Sequence, residues 1–206
     1  MTEKHIYPFG IIGNCSYMSY IDENASVVWQ CWPHFDSSFI FGKLVSEKKG
    51  GEFSIMPSKD FKSHQYYVEN TNILVTHFKA SDGEFKVVDF APRFELYERY
   101  HRPLMLFRKI ELISGTPQIK VICTPKGNYG EIEAESIYGS NSIDFGGLDA
   151  DVRLTTTIAK SSIVDQKSFV LSKNHYLVLS WGKPLEASLE RTYEEFYERT
   201  QSYWRK

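Results

Sequence analysis

Hydrophobic and polar residues alternate along most of this chain, in short runs rich in β-branched and aromatic residues that are bounded by turn signals. This period of two is typical of antiparallel strands that bury one face. The segments predicted as strands are residues 11–21, 27–32, 51–57, 63–68, 73–80, 84–91, 104–113, 118–124, 132–138, 142–146, 152–159, 167–171 and 174–181. About a dozen strands in one chain predict an all-β fold in which two large antiparallel sheets pack face to face.

Several connections between these segments carry specific turn chemistry. Residues 81–83 end in a glycine where a positive φ is needed, residues 114–117 end in a proline that blocks strand continuation, and residues 172–174 are short and polar. All three predict tight hairpins. Residues 36–38 offer side chains suited to an N-cap, which predicts one helical turn over residues 39–45.

The C-terminal residues 185–206 have a different pattern. Large apolar and aromatic side chains recur there at helical spacing among Glu and Arg: Leu189, Tyr193, Phe196, Tyr197, Tyr203 and Trp204. This spacing predicts an amphipathic helix after Pro184, so that residues 1–184 form a sandwich domain and residues 185–206 an appended helix. The apolar stripe needs a surface to pack against, and that surface is either the sandwich itself or a partner outside it.

The charges of the chain are balanced and dispersed. Lys and Arg together number 24, Asp and Glu number 26, and the formal net charge is −2. A chain without a basic cluster lacks the usual footprint of a protein that binds nucleic acid or an anionic membrane, so neither is expected as a partner. The sequence has no apolar run of signal-peptide or transmembrane length, which predicts a cytoplasmic protein.

The three cysteines, Cys15, Cys31 and Cys123, are an odd number without metal-type spacing. This usage fits a reducing compartment better than a disulfide framework, so free, buried thiols are expected. A turn at residues 22–25 would place Cys15 and Cys31 nearly opposite each other across a strand pair. A disulfide between these two is therefore the less favoured alternative.

Two stretches near the start of the chain carry a resemblance to a known family. Residues 7–15 read YPFGIIGNC and residues 29–37 read WQCWPHFDS. Their order and spacing closely resemble the opening of bacterial and archaeal glycoside hydrolases of family 15, where a Y-P-x-I-G-D pattern, a hairpin with D-G-S and a W-L-C-x-P-R-F-D-S pattern follow one another. Further matches lie at residues 50–51, 67–74, 76–78, 82–83, 88–92, 125 and 128–130, and Tyr203, Trp204 and Arg205 resemble the family's linker helix.

The resemblance implies both a fold and a role. Members of the family, which are glucoamylases and trehalase-like enzymes, have an N-terminal super-β-sandwich, a linker helix and an (α/α)6 barrel that carries both catalytic Glu residues. This chain resembles the first two parts only, so the resemblance implies a non-catalytic N-terminal domain, without a cofactor and without activity of its own. The implied partners are the catalytic barrel of the same parent chain and an oligo- or disaccharide substrate.

The chain departs from the family pattern at three places. Asn14 stands where the family usually has Asp, His34 stands where it has Arg, and the turn at residues 22–25 lacks the usual Gly. These differences bear on individual substrate contacts. The fold assignment rests on many other positions and is unaffected by them.

The loop over residues 33–38 is the best candidate for a functional site. It combines an aromatic ring, an imidazole, a carboxylate and hydroxyl groups directly after an apolar strand, which suits ring stacking and hydrogen bonding to sugar hydroxyls. The predicted substrate-rim or interface residues are Trp32, His34, Phe35 and Asp36. A structural role is the alternative, in which Pro33 ends the strand, Phe35 fills the core and Asp36 caps the next turn.

Two further segments are candidates for contacts with the catalytic domain. Tyr197, Tyr203 and Trp204 of the terminal helix are predicted to lie between the domains. Residues 93–102, which read RFELYERYHR, are too long for a tight hairpin and are predicted as a solvated loop. An interface is the alternative for this loop, since long connections often carry binding surfaces.

No residue is assigned a catalytic or metal-binding role from the sequence. His64 and His77 can align on neighbouring strands, but two histidines without a third ligand do not make a metal site. Carboxylates that are close in sequence, such as Glu95 with Glu98 or Glu194 with Glu195, are predicted to be solvated. Two alternatives to an accessory domain stay open: an independent carbohydrate-binding module that uses exposed aromatic residues, and a complete small hydrolase that uses its own carboxylates.

Overall fold

The computed structural model describes residues 7–185 and 187–206. The strands are β1 (Phe9–Gly13), β2 (Met18–Asp22), β3 (Val27–Cys31), β4 (Phe39–Phe41), β5 (Phe53–Pro57), β6 (Phe61–Tyr67), β7 (Leu74–Ala80), β8 (Gly83–Phe90), β9 (Phe94–Leu96), β10 (Arg99–His101), β11 (Met105–Gly115), β12 (Gln118–Cys123), β13 (Lys126–Gly127), β14 (Ile132–Glu133), β15 (Glu135–Tyr138), β16 (Ser142–Gly146), β17 (Val152–Thr156), β18 (Phe169–Val170) and β19 (His175–Trp181). The helices are α1 (Lys160–Val164) and α2 (Leu189–Trp204), and a 3₁₀ turn lies at Asn128–Gly130.

Two antiparallel sheets form the sandwich, which confirms the predicted all-β class. The first sheet has the strand order β1-β2-β3-β5-β12-β18, with β4 paired to β3. The second sheet has the order β15-β16-β17-β19-β11-β8-β7-β6. Two short hairpins, β9 with β10 and β13 with β14, lie outside both sheets.

The main core lies between the two sheets. Because successive side chains of a strand point to opposite faces, every second residue enters this space. Ile12 of β1, Leu106 of β11 and Val121 of β12 are fully buried there in one cluster. Phe78 and Phe85 stack across β7 and β8, with ring centroids 4.9 Å apart. Apolar burial of this kind is the dominant force that holds the sheets together.

A buried ion pair on the second sheet also reaches the first sheet. Arg108 on β11 and Asp89 on β8 are both fully buried, and Arg108 Nε lies 2.8 Å from Asp89 Oδ1. The same guanidinium donates hydrogen bonds to the backbone carbonyls of Phe53 at 2.7 Å and Ala25 at 2.6 Å, both of which lie on the side of the first sheet. Its charge and its donors are therefore matched, as a buried ion requires.

Helix α2 covers part of the outer face of the second sheet. Tyr193 is buried there, with its ring centroid 5.3 Å from that of Phe90. The carboxylate of Glu194 accepts hydrogen bonds from Lys109 Nζ at 2.8 Å and from the Tyr176 hydroxyl at 2.9 Å. The predicted amphipathic helix is thus confirmed, and the surface under its apolar stripe is the sandwich itself.

The structure corrects two of the predicted elements near the N-terminus. Residues 11–21 do not form one strand, because Cys15 has a positive φ of 66° and the Asn14 side-chain oxygen accepts the N–H of Ser16, which turns the chain between β1 and β2. Residues 39–45 do not form a helical turn. Phe39 instead pairs with Cys31 in β4.

The other corrections concern two turns, short elements and one cysteine. Residues 81–83 form the predicted hairpin between β7 and β8, but residues 114–117 and 172–174 are not hairpins, because each connects a strand of one sheet to a strand of the other. The predicted strand over residues 132–138 is split into β14 and β15, and residues 160–164 form the helix α1, which was not predicted. All three cysteines are free, as expected. Cys31 and Cys123 are buried, but the expectation of burial is wrong for Cys15, which lies in the exposed turn after β1.

Candidate functional site

Several connections of the sandwich meet at one of its ends. They are residues 14–17, 32–38, 91–104 and 147–151, and together they are named the loop end. The Asn14 amide donates a hydrogen bond to the carbonyl of Pro103 at 2.8 Å. The N–H of Trp181, the last residue of β19, donates to the carbonyl of Leu104 at 3.0 Å. These contacts bring loops that are distant in sequence into one surface.

Trp32 is buried beneath this surface. Its side chain is 1% exposed and lies between the rings of Tyr17 and Trp181, with centroids 5.2 Å and 6.2 Å away. The peptide bond from Trp32 to Pro33 is cis. The structure therefore places Trp32 as a packing residue that supports the loop above it.

The rest of the 32–38 loop projects into solvent. The N–H of His34 donates to Ser37 Oγ at 3.2 Å, and the N–H of Ser37 donates back to the carbonyl of His34 at 3.2 Å. His34, Phe35 and Asp36 are exposed, and Phe35 is 52% exposed. The loop thus presents an imidazole, an aromatic ring and a carboxylate on a small, internally bonded turn.

A cavity of about 220 Å³ lies beside the 32–38 loop. Its lining includes Trp32, Ser37, Ser38, Lys126, Asp149 and Trp181. This volume is below the roughly 300–1,000 Å³ of sites that enclose a drug-sized ligand. Hydroxyl, amine, carboxylate and indole groups around so small a space suit part of a saccharide better than a whole one.

Sequence reasoning did not identify Lys126, Asp149 or Trp181 at this site. Trp181 was detectable in principle, since it ends a predicted strand that runs to the same end of the sandwich as Trp32. Lys126 begins the short strand β13 and Asp149 lies in the 147–151 connection, and the course of both segments depends on tertiary contacts. Lys126 forms an ion pair with Glu133 at 2.7 Å. Asp149 is the acidic residue in the lining of the cavity.

Residues 93–102 contain the hairpin β9–β10, which was not predicted, although six of the ten residues are exposed as the predicted solvated loop requires. Arg93 lies between the rings of Tyr100 and Tyr203, at 5.0 Å and 4.9 Å from their centroids. His101 packs on Phe94 with ring centroids 4.9 Å apart. Burial, with the nearby positive charges of Arg199 and Lys183, lowers the pKa of His101. The hairpin therefore binds to α2, which local sequence patterns do not reveal.

The aromatic residues predicted to lie between domains face the sandwich. Tyr197 packs on Phe90, with ring centroids 5.8 Å apart, and Tyr203 packs on Arg93 as described. Trp204 lies beside Tyr203 at 5.1 Å, and its indole N–H is buried. The end of α2 reaches the loop end, where Lys206 Nζ lies 3.2 Å from Glu95 Oε2. Beside it, Arg205 Nε donates to the carbonyl of Glu69 in the β6–β7 connection at 3.3 Å.

The remaining candidate clusters lie elsewhere. His64 and His77 are directly opposite each other on β6 and β7, but His77 Nε2 lies 3.3 Å from Glu84 and His64 stacks on Tyr66. Among residues 7–185 and 187–206 no three His, Cys, Asp or Glu side chains are grouped as a metal site would require.

Comparison with known proteins identifies a matching family and several relatives. A family profile described as "Trehalase-like, N-terminal" matches residues 3–170. The chain is similar to Trehalase 1 of Sulfolobus acidocaldarius, 45% identical over 86 residues, which are 41% of this chain and 15% of that protein. It is also similar to a trehalase of Thermoplasma volcanium, 35% identical over 126 residues, which are 59% of this chain and 20% of that protein.

A third relative aligns over nearly the whole chain. It is a trehalase of Mycolicibacterium smegmatis, 25% identical over 228 aligned residues, which cover 97% of this chain and 34% of that protein. In each case the chain spans well under half of the relative's own length. No solved structure matches the chain significantly. In the part of the chain that the structure describes, neither helix is long and apolar enough to cross a membrane.

Proposed function

Because the chain belongs to the trehalase-like N-terminal domain family, we propose that it is the non-catalytic N-terminal domain of a trehalose-cleaving glycoside hydrolase. Its role is to support the catalytic region and to contribute to the rim of the active site. The match over residues 3–170 carries this proposal. It is supported by the length of the relatives, of which the matched region is only a part.

The loop end is the proposed contact with the catalytic region. Two features support this choice. Two of its connections, residues 32–38 and 91–104, are longer than a tight turn, and such loops often carry function. In addition, α2 ends beside them, since Lys206 Nζ lies 3.2 Å from Glu95 Oε2. In the proposal, residues 185–206 link the sandwich to the catalytic region. A catalytic region that follows α2 would therefore start next to the loop end.

Within the loop end, we assign the rim to the 32–38 loop. His34, Phe35 and Asp36 are exposed and offer a ring and two hydrogen-bonding groups to a sugar. Trp32 supports them from below. Two conventional catalytic carboxylates of an inverting glycosidase lie about 6.5–9.5 Å apart, and these belong, in the proposal, to the catalytic region.

Glucose release from trehalose and maltooligosaccharides tests the proposal. The 206-residue chain is compared with the natural polypeptide that carries it together with a catalytic region. We expect glucose from the longer polypeptide only, and a fall in its kcat/KM when His34 and Asp36 are both changed to Ala. Tyr138→Ala, an exposed change away from the loop end, is the control and should leave kcat/KM unchanged. Glucose release by the 206-residue chain alone would contradict the proposal.

A carbohydrate-binding module is the second candidate function. Several aromatic rings at or near the loop end are well exposed: Phe35 at 52%, Tyr97 at 90%, Tyr100 at 55% and Tyr129 at 62%. Exposed rings suit stacking on sugars. Saturable binding of maltooligosaccharides or trehalose to the chain alone, measured by calorimetry, favours this candidate, whereas a flat titration favours the accessory domain.

Two finer assignments complete the proposal. The relatives are trehalases, which supports trehalose as the substrate of the parent enzyme. Within the proposed assignment to glycoside hydrolase family 15, a glucoamylase that acts on a glucan is the alternative. The three free cysteines support a reducing compartment such as the cytoplasm. Mass spectrometry of the protein from its native cell, after alkylation of free thiols, tests the second point, and oxidised cysteines would contradict it.

A further inference from the structure

The outward positions of β1, β2 and β3 form an apolar surface on the first sheet. Ile11 lies directly opposite Tyr20, and Tyr20 lies opposite Trp29, so these three side chains form one row on the side away from the core. Phe9 and Met18 lie on the same side, above and below this row. These five residues, Phe9, Ile11, Met18, Tyr20 and Trp29, are named the β1–β3 face.

Charge is almost absent from this surface. Asp22 is the one charged residue in the three strands, and it lies at the end of β2. Its carboxylate already accepts the N–H groups of Asn24 at 2.9 Å and Ser26 at 2.8 Å. Ile11 is 44% exposed. Phe9, Met18, Tyr20 and Trp29 are partly exposed, so the solvent-accessible part of the β1–β3 face is mainly apolar.

The outer face of the second sheet is built in the usual way. Where α2 does not cover it, ion pairs face the solvent, such as Lys79 with Glu84 at 3.8 Å and Arg153 with Asp144. An antiparallel sheet that has one solvated face normally alternates apolar residues inward with polar residues outward. The β1–β3 face departs from this rule, and no helix of the described residues lies on it.

The chemistry of the β1–β3 face suits a protein partner better than a sugar. A saccharide site needs several polar groups beside its rings to meet the sugar hydroxyls. Here the Tyr20 hydroxyl and the Trp29 indole N–H are the only such side-chain groups, and Ile11 and Met18 carry none of this kind. Contiguous apolar patches of this type mark protein interfaces.

We propose that the β1–β3 face packs against an apolar surface of the catalytic region of the longer enzyme. This inference rests on the proposed function and goes beyond it by naming a second contact surface. Trp29 packs on the buried ring of Phe39 at 5.7 Å, and Phe39 packs on Tyr129 at 6.1 Å. The N–H of Tyr129 donates to Ser38 Oγ of the loop end at 2.7 Å, so the face lies close to the loop end. One partner seated at the loop end can therefore also cover the face.

The size of the relatives supports this occupant. The matched region is between 15% and 34% of their lengths, so most of each relative lies outside it. A specific interface buries about 800 Å² on each partner, and loops alone make a smaller and more mobile contact than loops joined to a sheet face. The face and the loop end are neighbours and together supply a larger contact surface than either alone.

Hydroxyl-radical labelling followed by mass spectrometry tests the proposal directly. Met18, Tyr20 and Trp29 should be labelled in the 206-residue chain and labelled several-fold more slowly in the polypeptide that includes the catalytic region. Tyr138, which is 53% exposed on β15, is the internal reference and should be labelled equally in both. Equal labelling of the β1–β3 face in both proteins would overturn the inference.

A pair of matched variants provides a second measurement. Ile11 and Ile113 are each 44% exposed, and Ile113 lies on the second sheet. In the 206-residue chain, Ile11→Lys and Ile113→Lys should both leave the thermal midpoint nearly unchanged, because a lysine at either site reaches water. In the longer polypeptide, Ile11→Lys should lower the midpoint by several degrees, whereas Ile113→Lys should not. Equal effects there would contradict the proposal.

The outcomes separate this inference from the proposed function. If the longer polypeptide cleaves trehalose and the short chain does not, but the β1–β3 face stays labelled, the proposed function stands and the inference fails. If the face is protected in the short chain alone and sedimentation shows a dimer, the occupant is a second copy and the inference also fails. If neither polypeptide cleaves a glucoside, the proposed function fails first.

Discussion

The two ends of the sandwich are built in different ways. At the end that contains the turns at residues 81–82, 116–117 and 172–174, named the hairpin end, each of these turns reverses the chain within a few residues. The turns also contact one another, since the N–H of Thr116 donates to the carbonyl of Asp82 at 2.9 Å. At the loop end the contacts are long-range, since the Asn14 amide reaches a carbonyl 89 residues away. Local turn chemistry thus determines one end, and tertiary packing determines the end that carries the candidate site.

The largest expected effect is at Trp32. Replacing Trp32 by Ala removes a fully buried ring from beneath the loop end, and changes of this size cost about 3–5 kcal/mol. Urea unfolding measures the loss of the free energy of unfolding. Phe35→Ala, three residues later but 52% exposed, is the matched control and should cost at most about 0.5 kcal/mol. Similar losses for both variants would contradict the placement of Trp32 as a packing residue.

This contrast also explains what the sequence could predict. Residues 81–83, 114–117 and 172–174 carry their turn signals within the turn, and the chain turns at all three. Only residues 81–83 form the predicted hairpin, because the other two turns connect strands of different sheets, which sequence signals within a turn do not reveal. The terminal helix was equally visible, because its apolar stripe has a strong period. Strand positions within the sheets were predictable for the same reason: the alternation is local.

The candidate site was predictable only in part. The composition of the 32–38 loop drew attention to Trp32 and His34, but nothing local indicates that the first is buried and the second exposed. That difference arises from Trp181, which is far away in sequence and packs on Trp32. The hairpin β9–β10 was missed for a similar reason, because Arg93 is held by Tyr203 of α2 rather than by its neighbours in sequence.

A second expected effect compares one asparagine from each end. Asn14 is fully buried, and its amide donates to the carbonyls of Pro92 at 3.2 Å and Pro103 at 2.8 Å. Asn14→Ala leaves buried backbone groups without partners, which costs about 1–3 kcal/mol. Asn174 at the hairpin end accepts the N–H of Leu112 at 3.0 Å but is exposed, so water replaces it in Asn174→Ala. Equal losses in urea unfolding would show that the two ends do not differ in this way.

Glycine substitutions test the hairpin end. Gly115 has a positive φ of 74°, and a methyl group there would lie 2.5 Å from the carbonyl oxygen of Asp82. Gly115→Ala should therefore cost about 1–2 kcal/mol from backbone strain alone, and more from the close contact. Gly182, near the loop end, has a φ of 72° but no atom within 4 Å of the added methyl. Gly182→Ala therefore carries the backbone strain without the close contact. Of the two variants, it should lower the thermal midpoint less than Gly115→Ala.

The smallest expected effect is a dependence of stability on pH at the loop end. Burial first, and then the charges of Arg199 and Lys183, lower the pKa of His101. The folded state therefore resists protonation at this site, whereas the unfolded chain takes up the proton near the ordinary histidine pKa of about 6.5. The stability that this group contributes is present above that pH and is lost as the pH falls through the lowered pKa of the folded state.

The hairpin end contains a comparable histidine. Burial, followed by the charge of Lys173, lowers the pKa of His175 at the start of β19. Urea midpoints at pH 7.5 and 5.5 should fall with pH for the native chain, and each histidine should account for a part of the fall. His101→Phe keeps ring packing on Phe94 while removing the proton site, so its midpoint should fall less. His175→Gln provides the comparison, and a fall that only this variant reduces would place the pH dependence at the hairpin end and not at the loop end.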